Sequence, residues 1–286
     1  MERPVANARY VVSEAAIVEF EENGVVCLRG VLDRPWIEAL SEELERVFER
    51  PGPQGKDYDN QGSGRFRYDT FMWTRHEPFW RLQAESPIAA ITAALMRSSK
   101  SYLMADIVFA KEANTPNVTP WHQDQPYGWY DGKQVCSGWT PLDRVDLSNG
   151  AVEYVAGSHH WGKWYRPVEF GTGQEQATTK FETIPDIDAN RSKFKIVHFD
   201  CEPGDLLIHH SLTIHGSPGN STSDRRRRAI SLRYAGDDAT YVVREVGPKP
   251  IRDPGLAKGD HFGCDLFPRV WPPSPLPRFW EQSTTG

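Results

Sequence analysis

The tripeptide His122-Gln123-Asp124 sets an imidazole and a carboxylate two positions apart. On an extended segment both side chains leave the same face of the chain. Such a pair suits a borderline divalent metal, and a second imidazole would complete a facial set that leaves three positions open on Fe(II). His215 is the natural third donor, at the end of the run Leu206-Leu207-Ile208-His209-His210-Ser211-Leu212-Thr213-Ile214-His215. The preceding Pro203-Gly204-Asp205 reads as a turn that launches a late strand. The tripeptide alone carries little weight, because His and Asp are common near turns. Neighbouring strand residues face opposite sides, so at most one of His209 and His210, and one of His159 and His160, can line such a site. All four are expected to satisfy local hydrogen bonds or to support the site from behind.

Beyond His215, Arg227, Ala229, Ser231 and Arg233 alternate with Arg228, Ile230 and Leu232. If Ile230 and Leu232 pack under a helical layer, the face carrying Arg227 and Ser231 lines the interior. A buried arginine there needs an anion, and a carboxylate matches its planar fork bidentately. Arg225, and with it Arg226, reads as a solvated basic turn.

The elements that must position these residues fall into two textures. Helices are predicted over residues 13–22, 34–49 and 87–98, the second with Asp33 as cap and Pro35 in its first turn. Residues 24–30 read as a short buried strand. From residue 102 onward come short β-type runs, near 103–110, 133–140, 150–155, 195–200, 205–208, 212–215 and 227–234, separated by turn residues. This pattern predicts a mainly β fold with flanking N-terminal helices and a jelly-roll, cupin-like core. One domain is expected over 1–286: a helical front to about 101, the core over about 102–240, then a tail. Segments 51–64, 165–194 and the Pro-rich stretch after 247 fit no element and read as lids or disorder. The aromatic run from Arg65 to Trp73 reads equally as a lid or as a half-buried strand.

A formal charge of -6 and a pI near 5.9 give no global attraction for nucleic acid or anionic membranes. A small-molecule partner is expected; the oligomeric state is not legible. Cys27, Cys136, Cys201 and Cys264 have no spacing of a zinc knuckle or disulfide framework and read as reduced thiols. No stretch approaches the roughly 20 apolar residues that span a bilayer, and no signal-peptide pattern follows Met1, so a cytoplasmic protein is expected.

Several short motifs occur in order: Trp121-His122-Gln123-Asp124, Trp139-Thr140-Pro141, Asn149-Gly150-Ala151, Gly157-Ser158-His159, Pro203-Gly204-Asp205, His215-Gly216-Ser217 and Arg227-Arg228-Ala229-Ile230-Ser231. Together, over about residues 14–235, they resemble the phytanoyl-CoA dioxygenase family of Fe(II)/2-oxoglutarate oxygenases. The resemblance implies a double-stranded β-helix core, iron held by His122, Asp124 and His215, and Arg227 on the distal carboxylate of 2-oxoglutarate. It also implies Ser217 and Trp139 as neighbours of that co-substrate. One departure concerns the anchor: the family's arginine lies eleven residues after the distal histidine, whereas Arg227 lies twelve after His215. The offset alone selects Arg226; the following Arg-Ala-Ile-Ser and the polar strand face select Arg227.

The chemistry implied is oxidation of a small organic metabolite by O2, coupled to decarboxylation of 2-oxoglutarate to succinate. Asp124 occupies the position that is Ala or Gly in related halogenases, which favours hydroxylation over chlorination. Tyr127, Trp129 and Arg233 are candidate substrate-pocket residues, and packing or a surface ion pair explains each equally well. Two rivals remain at this stage: a cupin-like metalloprotein acting without 2-oxoglutarate, and a non-catalytic binding protein on the same scaffold. No separate Lys/Arg cluster for the phosphates of a coenzyme A thioester is apparent.

Overall fold

The structure is a computed structural model that describes residues 10–279 except 62, 171, 172 and 179. Helix α1 (Glu14–Asn23) begins where the Ser13 hydroxyl accepts the Ala16 N–H. It ends at Gly24, with φ +71°, a left-handed stop that an L side chain disfavours. A Cβ there would also lie 2.4 Å from both His159 and Thr213, so the turn into strand β1 (Val25–Leu28) requires glycine twice over. Helix α2 (Arg34–Glu49) follows with Asp33 capping Trp36 and Pro35 in its first turn, and buries Leu40, Leu44 and Val47.

Strands β2 (Lys56–Asp59) and β3 (Arg65–Thr70) form a hairpin, and helices α3 (Glu77–Glu85) and α4 (Ile88–Leu95) complete the front. The remaining strands are β4 (Ser101–Lys111), β5 (Thr119–His122), β6 (Tyr130–Asp131), β7 (Val135–Pro141), β8 (Glu153–Val155), β9 (Ile196–His198), β10 (Leu206–His210), β11 (His215–Ser217), β12 (Arg227–Ala235), β13 (Thr240–Tyr241) and β14 (Arg269–Trp271). All pairings among these strands are antiparallel. The major sheet runs β1-β10-β7-β12-β4-β3-β2, with β14 also paired to β4; the minor sheet runs β5-β11-β8-β9. The fold is the expected jelly roll.

Alternation on β12 sets the layers. Ile230 and Leu232 join Val108, Leu206 and Ile208 in one apolar cluster beneath Leu44 of α2, Leu82 of α3 and Ile88 of α4. Burying each such side chain contributes about 1.5–3 kcal/mol, which fixes the sheet's outward face. Opposite, Ala229, Trp139 and Leu207 meet Val152 and, on the minor sheet, Tyr154. The interior face of β12 therefore lies between the sheets.

The structure refines several sequence-based expectations. The front holds the expected strand at 24–30 and two more, β2 and β3, which belong with β1 to the major sheet. Of the two readings of the Arg65 segment the structure shows the strand: β3, followed by a tight turn that buries Trp73. Segment 51–64 contains β2, whose mostly exposed side chains give no apolar alternation to read; pairing to β3 makes it a strand. Helix α3 is new: Pro78 in its first turn, and Phe79, Leu82 and Gln83 on its buried face, were its unread signals. The tail also folds back, burying Leu266, Phe267 and Val270.

Candidate active site

His122 ends β5 and His215 begins β11, and the two are direct partners across the minor sheet. Asp124 is not on the strand, contrary to the extended segment that the sequence predicted. The chain leaves β5 at His122, and Asp124 has helical φ/ψ at the start of the turn Gln125–Tyr127. That turn brings the carboxylate back over the imidazoles. Donor atoms of His122, Asp124 and His215 lie within 4.8 Å of one another, and all three residues are buried.

The hydrogen bonds behind the rings decide which atoms face the centre. His122 Nδ1 lies 2.8 Å from the Pro120 carbonyl oxygen, and His215 Nδ1 2.9 Å from that of Thr213. A carbonyl only accepts, so both hydrogens reside on Nδ1 and both Nε2 lone pairs are bare. They face Asp124 Oδ1 at 3.6 Å and 3.8 Å. Three buried acceptors that converge repel one another unless a cation lies among them, and two imidazoles with one carboxylate suit ferrous iron. Burial and the neighbouring His122 and His209 hold the His215 imidazole well below its ordinary pKa, which keeps it a neutral donor.

Asp124 is gripped from the major sheet. Arg233 Nη2 donates to its Oδ1 at 2.7 Å; Ser137 Oγ and His209 Nε2 donate to Oδ2 at 2.6 Å and 3.1 Å. Ser137 of β7 is the register partner of both Arg233 on β12 and His209 on β10, so one row across three strands holds the carboxylate. Burial alone would raise its pKa, but Arg233, His215 and the two other histidines hold it well below the ordinary value.

At the other end of the same cavity stands Arg227, buried at 3% exposure. Its Nη2 donates to Gly150 O and Ser217 Oγ, both at 3.0 Å, and its guanidinium carbon lies 5.5 Å from the Trp139 ring centre. Its Nε has no partner, and no carboxylate among the described residues pairs with it. Burial lowers its pKa to about 10. Arg226 points the other way and pairs with Glu45 and Glu112, each at 2.7 Å. Strand alternation thus places Arg227, and not Arg226, in the cavity.

Other expected site residues separate. Arg233 lines the cavity, but its partner is Asp124. The Tyr127 ring lies 5.7 Å from that of His122, while its hydroxyl is bonded both to the N–H and to the carbonyl oxygen of Val168. Trp129 is a correction: it packs between Phe71 and Phe267 in the main apolar core and donates to Pro248 O, outside the cavity. Phe170, from the long 165–194 segment, stands edge-on 4.9 Å from His122. Of the four histidines set aside, His159 and His160 bond Glu21 O, His210 bonds Lys133 O, and only His209 reaches the centre. The alternation rule allowed one of His209 and His210 but gave no means of choosing. Cys27, Cys201 and Asp205 also converge within 4.8 Å, but Gly30 N–H holds Asp205 Oδ1, and Arg29 and the Glu202 N–H hold Oδ2. All four cysteines are free thiols.

Fold and site together define a jelly-roll protein with a two-histidine, one-carboxylate centre. The family model for phytanoyl-CoA dioxygenase (PhyH) matches residues 20–229, and the chain belongs to that family. A probable phytanoyl-CoA dioxygenase of Caenorhabditis elegans is 29% identical over 166 residues, which cover 56% of this chain and 51% of that protein. The chain thus matches about half the length of that relative. Among solved structures, the non-heme alpha ketoglutarate dependent epimerase SnoN superposes with a TM-score of 0.71 at 22% identity, covering 90% of this chain and 95% of that one. The carbocyclase SnoK, also from nogalamycin biosynthesis, superposes at 0.72 with 23% identity, covering 91% and 96%. Among the described residues no helix is long and apolar enough to cross a membrane.

Proposed function

We propose that this chain is an Fe(II)/2-oxoglutarate-dependent dioxygenase that hydroxylates or otherwise oxidises a small organic metabolite. The observation that carries the reading is a pairing within one cavity: the bare Nε2 atoms of His122 and His215 converging with the Asp124 carboxylate, and at the far end a buried arginine with no carboxylate partner among the described residues. Family membership supports it. When bound, iron with 2-oxoglutarate and O2 supplies an oxidant able to break a C–H bond, and 2-oxoglutarate leaves as succinate and CO2.

The protein's own residues bind and orient. His122, Asp124 and His215 would hold the metal, and Arg233, Ser137 and His209 keep the carboxylate from rotating away. Arg227 pairs with the distal carboxylate of 2-oxoglutarate, with Ser217 and the Trp139 ring beside it. Phe109, Val152 and Phe170 give the cavity apolar walls that exclude water from the reacting atoms. The presence of Asp124 leaves no ligand position for halide. A metalloprotein indifferent to 2-oxoglutarate leaves buried Arg227 without a purpose.

The whole chain, 1–286, is read as one oxygenase domain acting on a free metabolite in the cytoplasm, without nucleic acid or membrane as partner. Turnover is tested by following succinate release from purified protein across a metabolite collection, with Fe(II), 2-oxoglutarate and O2 each omitted in turn. Substrate-stimulated succinate that requires all three is expected. Release that persists without iron contradicts the proposal.

A further inference from the structure

Cys27 lies on β1, the outer strand of the major sheet, and Cys201 follows shortly after β9, the outer strand of the minor sheet. Their sulfur atoms lie within 4.8 Å of each other and of an Asp205 carboxylate oxygen. The backbone holds each in place. Cys27 pairs with Leu207 of β10, and Cys201 exchanges both backbone hydrogen bonds with Val145, at 2.8 Å and 2.9 Å. Asp205 ties the two segments together: its Oδ1 accepts the Gly30 N–H at 2.9 Å, and its Oδ2 accepts Arg29 Nη1 at 2.6 Å and the Glu202 N–H at 3.0 Å. Residues beside both cysteines share this one carboxylate, which keeps the sulfurs from drifting apart.

The two thiols differ in access. Cys27 is partly exposed, whereas Cys201 is buried among Val145, Tyr154 and Leu207 and donates to Phe199 O at 3.5 Å. The adjacent Cys201 thiol and the Arg29 guanidinium hold Cys27 below its ordinary pKa, against burial and the carboxylates of Asp205 and Glu19. The same pairing and burial push the Cys201 thiol up. A partly exposed thiol beside a cation is the one an oxidant meets first, because the thiolate is the nucleophile. Both oxygens of Asp205 are already engaged, so the pair has no free third donor for a metal ion. One open sulfur against one covered sulfur is instead the arrangement of an attacking and a resolving thiol.

We propose that Cys27 and Cys201 are an oxidisable pair whose disulfide clasps the two sheets together at one edge, with hydrogen peroxide or another hydroperoxide as the oxidant. The Cys27 sulfur attacks hydrogen peroxide: an S–O bond forms, the O–O bond breaks and the departing oxygen leaves as water, so that Cys27 becomes a sulfenic acid. The Cys201 sulfur then attacks the Cys27 sulfur. The S–S bond forms, the S–O bond breaks, and the hydroxyl leaves as water with the Cys201 proton. Each sulfur gives up one electron and the peroxide gains two. In the product the sulfurs close to about 2.05 Å, which draws β1 towards the turn after β9. None of this depends on what the active-site cavity binds.

Peptide mapping of the full-length chain, kept free of iron by a chelator and treated with hydrogen peroxide, tests the pairing. The expected product is one cross-linked pair of peptides carrying Cys27 and Cys201, lighter by two hydrogens and separated again by dithiothreitol, with Cys136 and Cys264 still open to alkylation. Chain unfolded in denaturant before oxidation is expected to lose that preference. Cys201→Ser is expected to stop at the sulfenic acid, trapped on Cys27 by dimedone. Cys27→Ser is expected to slow thiol loss about tenfold or more, since it removes the accessible nucleophile. Oxidised wild type is expected to unfold at a higher temperature than the reduced form, because the cross-link constrains the unfolded chain. No Cys27–Cys201 cross-link in folded wild type, or a first disulfide at Cys136 or Cys264, overturns the proposal without recourse to any variant. Dimedone on a cysteine other than Cys27 overturns the order of steps, and an oxidised form no more heat-stable than the reduced one overturns the clasp.

Discussion

Arg233 donates to Oδ1 of Asp124, the same oxygen that faces both imidazole Nε2 atoms. The carboxylate direction is therefore set by the major sheet, while the histidines belong to the minor one. The two bonds on Oδ2 from Ser137 and His209 prevent rotation about Cβ–Cγ. Partners behind a metal ligand typically change metal affinity by about 10–100-fold. Ser137→Ala is accordingly expected to weaken Co(II), used as a spectroscopic stand-in, about tenfold in a competitive titration. Unchanged affinity would mean that Arg233 and His209 suffice.

The two adjacent arginines should behave differently. Arg227→Ala removes a buried cation that has no carboxylate partner and is expected to raise the dissociation constant for 2-oxoglutarate by about 100-fold, the scale of losing a charge-assisted bidentate contact. Arg226→Ala breaks partly exposed pairs with Glu45 and Glu112. It is expected to cost about 1 kcal/mol of stability or less and to leave the constant within about twofold. The reverse ranking would overturn the assignment of the anchor.

Acid should act on His210. Its Nε2 donates to Lys133 O and its Nδ1 accepts the Leu212 N–H, so it is fixed as a neutral acceptor, and burial lowers its pKa to about 4. The unfolded chain takes up this proton near pH 6.5 and the folded chain only near 4, so the stability it contributes is complete above 6.5 and is lost as pH falls towards 4. The loss is on the order of 3 kcal/mol. Chemical denaturation of His210→Asn at several pH values is expected to give a flatter stability curve over that window; an unchanged slope would assign the loss elsewhere, for instance to His159, which shifts similarly.

Trp129 offers a test of core against pocket. Trp129→Phe keeps the contacts with Phe71 and Phe267 in part and loses the bond to Pro248 O. A loss of about 1–3 kcal/mol is expected in denaturant unfolding, with the 2-oxoglutarate constant unchanged. A large change in that constant would place the indole nearer the site than the packing does.

The fold was legible where local chemistry repeats. Asp33 and Pro35 marked α2 to the residue, and alternation on β12 gave both its buried faces. The histidine ligands were legible as types at a spacing, although the reason Asp124 reaches them is a turn and not a strand. What the sequence hid depends on lateral register. Ser137, His209 and Arg233 are far apart in the chain and become one row only because β12, β7 and β10 pair as they do. The closeness of Cys27 and Cys201 was equally invisible: no spacing in the chain marks it, and it arises only where β1 meets the turn after β9. Trp129 misled because closeness to Asp124 in sequence is not closeness in space once the Gln125–Tyr127 turn intervenes.

On the proposed function, His122, Asp124 and His215 hold iron in the same cavity in which Arg227 holds 2-oxoglutarate. Visible absorption of anaerobic protein loaded with Fe(II) tests it most directly, because chelation of the metal by a 2-oxo acid gives a weak charge-transfer band. Adding 2-oxoglutarate is expected to raise that band in wild type, with His215→Ala abolishing it. A folded, Fe(II)-loaded wild type that develops no band would contradict the account.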